Sequence, residues 1–99
     1  MIFMNNDLAE LIDQLRQAAE GISMNLETAR RIRWQTSDRL LDRVANEAWL
    51  KLKNFIDDCD TRSRDRAYDV QMKNEMRWRA EELTEMVKGN DPNNRKKTR

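Results

Sequence analysis

Few side chains in this sequence are of types that perform chemistry, and their spacing narrows the choice further. The run FIDDCD, Phe55 to Asp60, opens like a calcium loop, with Asp58 and Asp60 in a D-x-D arrangement. Such a loop needs an oxygen ligand at position five, glycine at six for the sharp turn and a bidentate glutamate at twelve. Those positions hold Arg62, Ser63 and Asp69, and the nearby arginines repel a cation. The run reads as a solvated acidic corner, and neither a metal nor another cofactor is expected. Cys59 is the one cysteine. It falls on the inner face of a predicted helix, where cysteine behaves as a small buried apolar residue. The sequence has no histidine to activate it, and the same absence removes the usual general base, the histidine triads and most zinc sites. Glu81, Glu82 and Glu85 carry acid–base groups, but glutamates on an outer helical face mainly solvate and support the helix. With glycine only at 21 and 89, no loop can cradle a phosphate. The expectation is a protein without catalytic activity.

Two Arg-Trp stretches remain: ARRIRWQT, from Ala29 to Thr36, and NEMRWRAE, from Asn74 to Glu81. Each residue of a helix turns by about 100°. On that basis Trp34 lies nearly opposite the Leu8–Leu15–Ile22–Leu26 stripe. Trp78 stands about 140° from the stripe of Tyr68, Met72, Met76, Leu83 and Val87. Trp49 borders its own core. An outward tryptophan has two readings. It can fold over its own bundle end, or pack against the tail or another helix, with an arginine stacked on it for roughly 0.5–1 kcal/mol. Alternatively it anchors a contact with another macromolecule, since Trp and Arg are enriched in interface hot spots. The second reading makes Arg30, Arg31, Arg33, Trp34, Arg77, Trp78 and Arg79 the partner-binding residues. A nucleic-acid binder would set the arginines of 30–33, with Arg39, Arg43, Arg95, Lys96, Lys97 and Arg99, on phosphates. The net charge of +1 and the acids around Trp78 weigh against that alternative.

The elements that must position these residues are helical. Leu8, Leu11, Leu15, Ala18, Ile22, Ala29 and Ile32 follow a seven-residue a/d spacing, widened by Ile12, Ala19 and Leu26 and interrupted by Asn25. This spacing predicts one helix over 7–34, with Gly21 inside it as a kink or a close crossing at a cost of about 1 kcal/mol relative to alanine. QTSD, Gln35 to Asp38, is the corner, with Thr36 or Ser37 as cap. Leu41, Val44, Ala45, Ala48, Leu52, Phe55, Ile56 and Cys59 line a second helix over 38–59. The stretch 57–66 is either a loop, with its corner near Asp60 to Ser63, or solvated helix within a single rod from 38 to 88. A third helix, over 64–88, buries Tyr68, Met72, Met76, Ala80, Leu83, Met86 and Val87. Lys88, Gly89 and Pro92 end it. The tail over 90–99 reads as flexible and basic.

Ninety-nine residues with 37% charged and 38% apolar side chains suit one helical domain over 1–89 with solvated faces. The fold class expected is all-α: two or three long amphipathic helices in an antiparallel hairpin or three-helix bundle, coiled-coil-like. A thin core of this kind is often completed by association with another chain, so a protein partner is expected and a homodimer is one form it can take. Charge is uneven: five acids and one base over 1–29, then five bases and two acids over 30–43. A lone cysteine suits a reducing compartment, MIFMNND is no signal peptide, and no apolar run approaches the roughly 20 residues of a membrane span. The cytoplasm is the expected location and no membrane partner is expected. The function expected is a non-catalytic protein-interaction module. It would be a self-associating adaptor, or a small inhibitor docking on a larger machine, of phage or mobile-element type. The alternative is a small nucleic-acid-binding protein.

Overall fold

A computed structural model describes residues 5–22 and 24–89. All regular structure among them is helical: α1 (Asn5–Ala19), α2 (Leu26–Arg30), α3 (Arg39–Asp57), α4 (Cys59–Arg64) and α5 (Arg66–Gly89). The fold is all-α. The three long helices α1, α3 and α5 pack pairwise on one another. Two contacts set α1 and α5 in opposite senses. Arg16 donates to the Thr84 hydroxyl at 3.1 Å, while Arg77, two turns earlier on α5, approaches the Ala19 carbonyl at 3.4 Å.

The apolar stripes meet in one core. Leu8, Leu11, Leu15 and Ala18 of α1 pack with Ala45, Ala48, Leu52 and Phe55 of α3 and with Met76, Ala80 and Leu83 of α5. Ala29 and Ile32 close it from the α2 side. Each fully buried leucine contributes about 1.5–3 kcal/mol, and the alanines let the helices approach.

The helix expected over 7–34 is two helices. Gly21 takes a φ of +78°, a left-handed conformation that glycine adopts without a Cβ penalty. Its N–H donates to the Ala18 carbonyl at 3.0 Å and that of Ile22 donates to Gln17 at 3.1 Å. These two bonds form the Schellman closure, which satisfies carbonyls left over at a helix end. Gly21 is therefore a stop signal, and the a/d spacing beyond it belongs to a new element. Ile22, expected in the seam, is 48% exposed as a result. Asn25, the interruption in the pattern, starts α2: its side chain accepts from the Glu27 N–H at 2.7 Å. Residues 31–38 are not helical.

The second helix begins one residue later than expected, and its cap is Asp38, whose Oδ1 accepts from the Leu41 N–H at 3.1 Å. Thr36 holds Asp38 in place by accepting from its N–H at 3.1 Å. The stretch 57–66 is neither a loop nor part of one rod. A single short helix, α4, is set off by breaks at Asp58 and Asp65, and Asp65 caps α5 through the Tyr68 N–H at 3.1 Å. Cys59 is exposed rather than buried. Its inner-face position required α3 to continue through it, and α3 ends at Asp57. The third helix, Arg66–Gly89, buries the expected stripe at Met76, Ala80 and Leu83, with Tyr68, Met72, Met86 and Val87 half-buried. The tail over 90–99, including Arg95, Lys96, Lys97 and Arg99, lies outside the described residues.

Candidate functional site

The two Arg-Trp stretches have different fates. Because the chain leaves helical geometry after Arg30, Trp34 does not project from the polar face of a first helix. It lies half-buried against α3. Its indole N–H donates to Asp42 Oδ1 at 3.0 Å, and its ring meets Trp49 edge to face, centroids 5.6 Å apart and planes at 87°. Such a T-shaped contact is worth about 0.5–1.5 kcal/mol beyond buried area. Trp49 in turn donates its indole N–H to the Ala29 carbonyl at 2.8 Å, tying α2 to α3. Of the two readings of Trp34, the structure thus places it over its own fold. Trp49, at the border of its core as its spacing predicts, is joined in this cluster by Asp42 and by Lys53, whose ammonium lies 3.5 Å from the Trp49 ring centroid, and neither of these two was singled out by sequence. The available signal was the spacing of Asp42, Asn46, Trp49 and Lys53, which is one stripe of α3.

Arginines surround this corner. Arg33 is turned onto its own backbone, donating to the Arg30 and Ile32 carbonyls at 2.7 and 2.9 Å, and reaches within 5.9 Å of the Trp49 ring. Arg31 makes an exposed contact of 3.9 Å with Glu27, a geometry that contributes little. Arg30, Arg39 and Arg43 are exposed. Beside the two indoles a notch of about 260 Å³ opens, bounded also by Ile32, Arg33, Asp42 and Asn46.

Trp78 occupies the middle of α5, 48% exposed. The exposed side chains within about 60° of it are Ala67, Gln71, Asn74, Glu81, Glu82 and Glu85, so it stands at the centre of the outward face, as its helical spacing predicts. Arg79 lies 4.8 Å from its ring centroid, but is itself held inward by Glu75 at 2.9 Å and Glu47 at 4.0 Å. Arg77 bonds Asn74 at 2.8 Å. The two Arg-Trp stretches do not form a shared cluster: the ring partner of Trp34 is Trp49.

A third cluster holds α3, α4 and α5 together. Arg62, whose side chain is only 11% exposed, donates from Nε and Nη2 to the Phe55 carbonyl at 3.2 and 2.6 Å and from Nη1 to Asp69 at 3.1 Å. Its guanidinium carbon lies 3.5 Å from the Phe55 ring centroid. Lys73 also reaches Asp69, at 2.9 Å. The Lys73 hydrogen bond, and then the Arg62 one, hold the Asp69 carboxyl below its ordinary range against the opposing effect of burial. Tyr68 donates its hydroxyl to Asp58, and that bond, followed by burial, raises the phenol above its ordinary value. Every member of this cluster is engaged with another, which is the arrangement of a structural joint. Among the described residues, no three His, Cys, Asp or Glu side chains converge as metal ligands.

No protein family, curated protein or solved structure matches this chain. No helix among the described residues is long and apolar enough to cross a membrane.

Proposed function

We propose that this chain is a non-catalytic helical interaction module, an adaptor or modulator that docks on another protein through the outward face of α5. The observation that carries this reading is the half-exposed indole of Trp78 in the middle of a 24-residue helix. It does little for the fold from that position, whereas tryptophan is the residue most often found at the energetic centre of protein contacts. The three acids one and two turns further along, Glu81, Glu82 and Glu85, set the chemistry of the partner. It offers an apolar socket for the indole with lysines or arginines on its rim, which suppresses wrong partners and speeds encounter.

A tryptophan side chain brings roughly 200 Å² to a contact. Half of that at about 25 cal/mol per Å² is about 2.5 kcal/mol, or roughly seventyfold in affinity. The test compares proteins captured from the source cell by the wild-type chain and by Trp78→Ala, with light scattering to detect a second copy as the partner. The expected result is a partner whose affinity falls by that factor while the melting curve is unchanged. A Trp78→Ala chain that retains every partner and the same mass, with the fold intact, refutes the reading.

A further inference from the structure

The side of α3 that faces away from the core carries a groove with no part in the fold's own packing. Leu50 stands about 140–180° from Leu41, Ala45, Ala48, Leu52 and Phe55 by helical rotation, and is 53% exposed. Lys53, Asn54 and Asp57 lie within about 60° of it on the same helix. The bond from Trp49 to the Ala29 carbonyl holds α2 beside α3 here, and α2 presents Leu26 and Arg30, one turn apart. These six residues line a groove of about 260 Å³. That is just below the range of about 300–1,000 Å³ that holds drug-sized molecules, and suits one large side chain. The two leucines are apolar walls, and Arg30 and Lys53 outnumber the one acid, Asp57. Arg30 makes no ion pair among the described residues, and Lys53 keeps its charge over the Trp49 ring. Arg43 and Arg39, two and three turns before Leu50, add exposed cations to the same side of α3. Glu47, at the margin of that side, approaches Arg79 of α5.

We infer that this groove, on a second copy of the chain, is the socket for Trp78, so that copies join head to tail. The inference rests on the reading of Trp78 as the docking residue and names its partner. An indole flanked by Glu81, Glu82 and Glu85 calls for an apolar recess with cations on its rim, and those glutamates make no ion pair among the described residues. The groove between α2 and α3 has that composition: Leu26 and Leu50 for the indole, Arg30 and Lys53 for the glutamates. Opposite charges on the two faces steer the encounter and fix its register. A chain cannot fill its own socket, since Trp78 and Leu50 each stand on the outer side of a helix whose inner side forms the common core. Each copy therefore offers its anchor on one face and its socket on another. Such a contact is heterologous, and it closes into a ring or continues as a chain. The net charge of +1 does not oppose it, because every contact pairs an acidic face with a basic one.

The test is sedimentation velocity and light scattering of the full chain from about 1 μM to 1 mM. The mass should rise with concentration past that of a dimer, and less steeply in high salt. Trp78→Ala should weaken the association roughly seventyfold. Leu50→Glu sets an acid where the glutamates dock and should weaken it by about a hundredfold. Arg30→Glu is the second socket variant, with an expected loss of about tenfold. These side chains are exposed, and melting curves report whether each variant still folds. Mixing the variants gives the decisive measurement. Trp78→Ala keeps its socket and Leu50→Glu keeps its anchor, so each alone should be monomeric where the wild type assembles, and an equimolar mixture should form dimers that grow no further. A wild-type chain that stays monomeric or stops at a dimer overturns the inference, as does a mixture that does not associate. If Trp78→Ala dissociates the assembly while both socket variants leave it intact, the socket is refuted and docking through Trp78 stands. If the wild type is monomeric and Trp78→Ala loses a different protein, the self-association alone is refuted.

Discussion

Replacing Gly21 by alanine has a predicted sign that depends on the fold. In the interior of a continuous helix over 7–34, the change would raise stability by about 1 kcal/mol, because glycine loses more backbone entropy there. In the observed structure Gly21 has a φ of +78°, where an L-residue costs about 1–2 kcal/mol. Restricting the unfolded chain returns about 0.4–1 kcal/mol of that. A Cβ would lie 3.3 Å from Lys73 Nζ and 3.5 Å from its Cε, the far end of a flexible side chain, which can yield. Lys73 also holds Asp69 at 2.9 Å, so its displacement adds to the loss. The net expectation is a destabilisation of about 1 kcal/mol, or about 5 °C in melting temperature for a domain of this size. Gly21→Asn should lose less, since asparagine tolerates the left-handed cap. Urea unfolding and thermal melting followed by circular dichroism at 222 nm measure both variants. A stabilised Gly21→Ala chain, with unchanged or increased helicity, would refute the closure at Gly21 and restore the continuous helix.

Other predictions concern the joint between α3 and α5. Arg62→Ala should cost about 2–4 kcal/mol, from charged hydrogen bonds to the Phe55 carbonyl and the stacked guanidinium. Arg62→Lys should recover only part, because one ammonium cannot reproduce the fork; full recovery in urea unfolding would count against the bidentate capping role. Asp69, held below 3.8, adds stability that is present above that value and lost as pH falls through its lowered one. Asp69→Asn should therefore flatten the acid limb of stability against pH, and an unchanged limb would remove Asp69 as its source. Tyr68 is raised above 10.0, so its contribution is complete below pH 10.0 and disappears as pH rises through the raised value. Tyr68→Phe should flatten the alkaline limb in the same titration. Exposed Cys59 should react with a thiol reagent such as iodoacetamide in the native state, at a rate near that of the unfolded chain; strong native protection would contradict its position at the start of α4.

The sequence by itself determined the class of fold and most of the core. Leucines, alanines and methionines at spacings of three and four define the buried faces of α1, α3 and α5, because a helix sets which side chains share a face whatever it packs against. The same local geometry placed Trp78 outward. Where that reasoning failed, the deciding contacts joined residues far apart in the chain or depended on how a helix ends. Gly21 was compatible with both a helix interior and a cap, and a heptad pattern continued by coincidence through Ala29 and Ile32. Only the folded chain, with Asn25 starting α2, separates the two. Once that helix stops, the direction of Trp34 is no longer set by a rotation of 100° per residue. It is set by the Asp42 and Trp49 side chains that it meets on α3. Arg62 could be read from sequence only as one charge in a polar run. Its inward turn depends on the Phe55 carbonyl at the end of α3 and on Asp69 in α5. Those groups meet only when three elements have packed, and the hydrogen bonds they offer in a partly dry site outweigh the hydration that a surface arginine would keep.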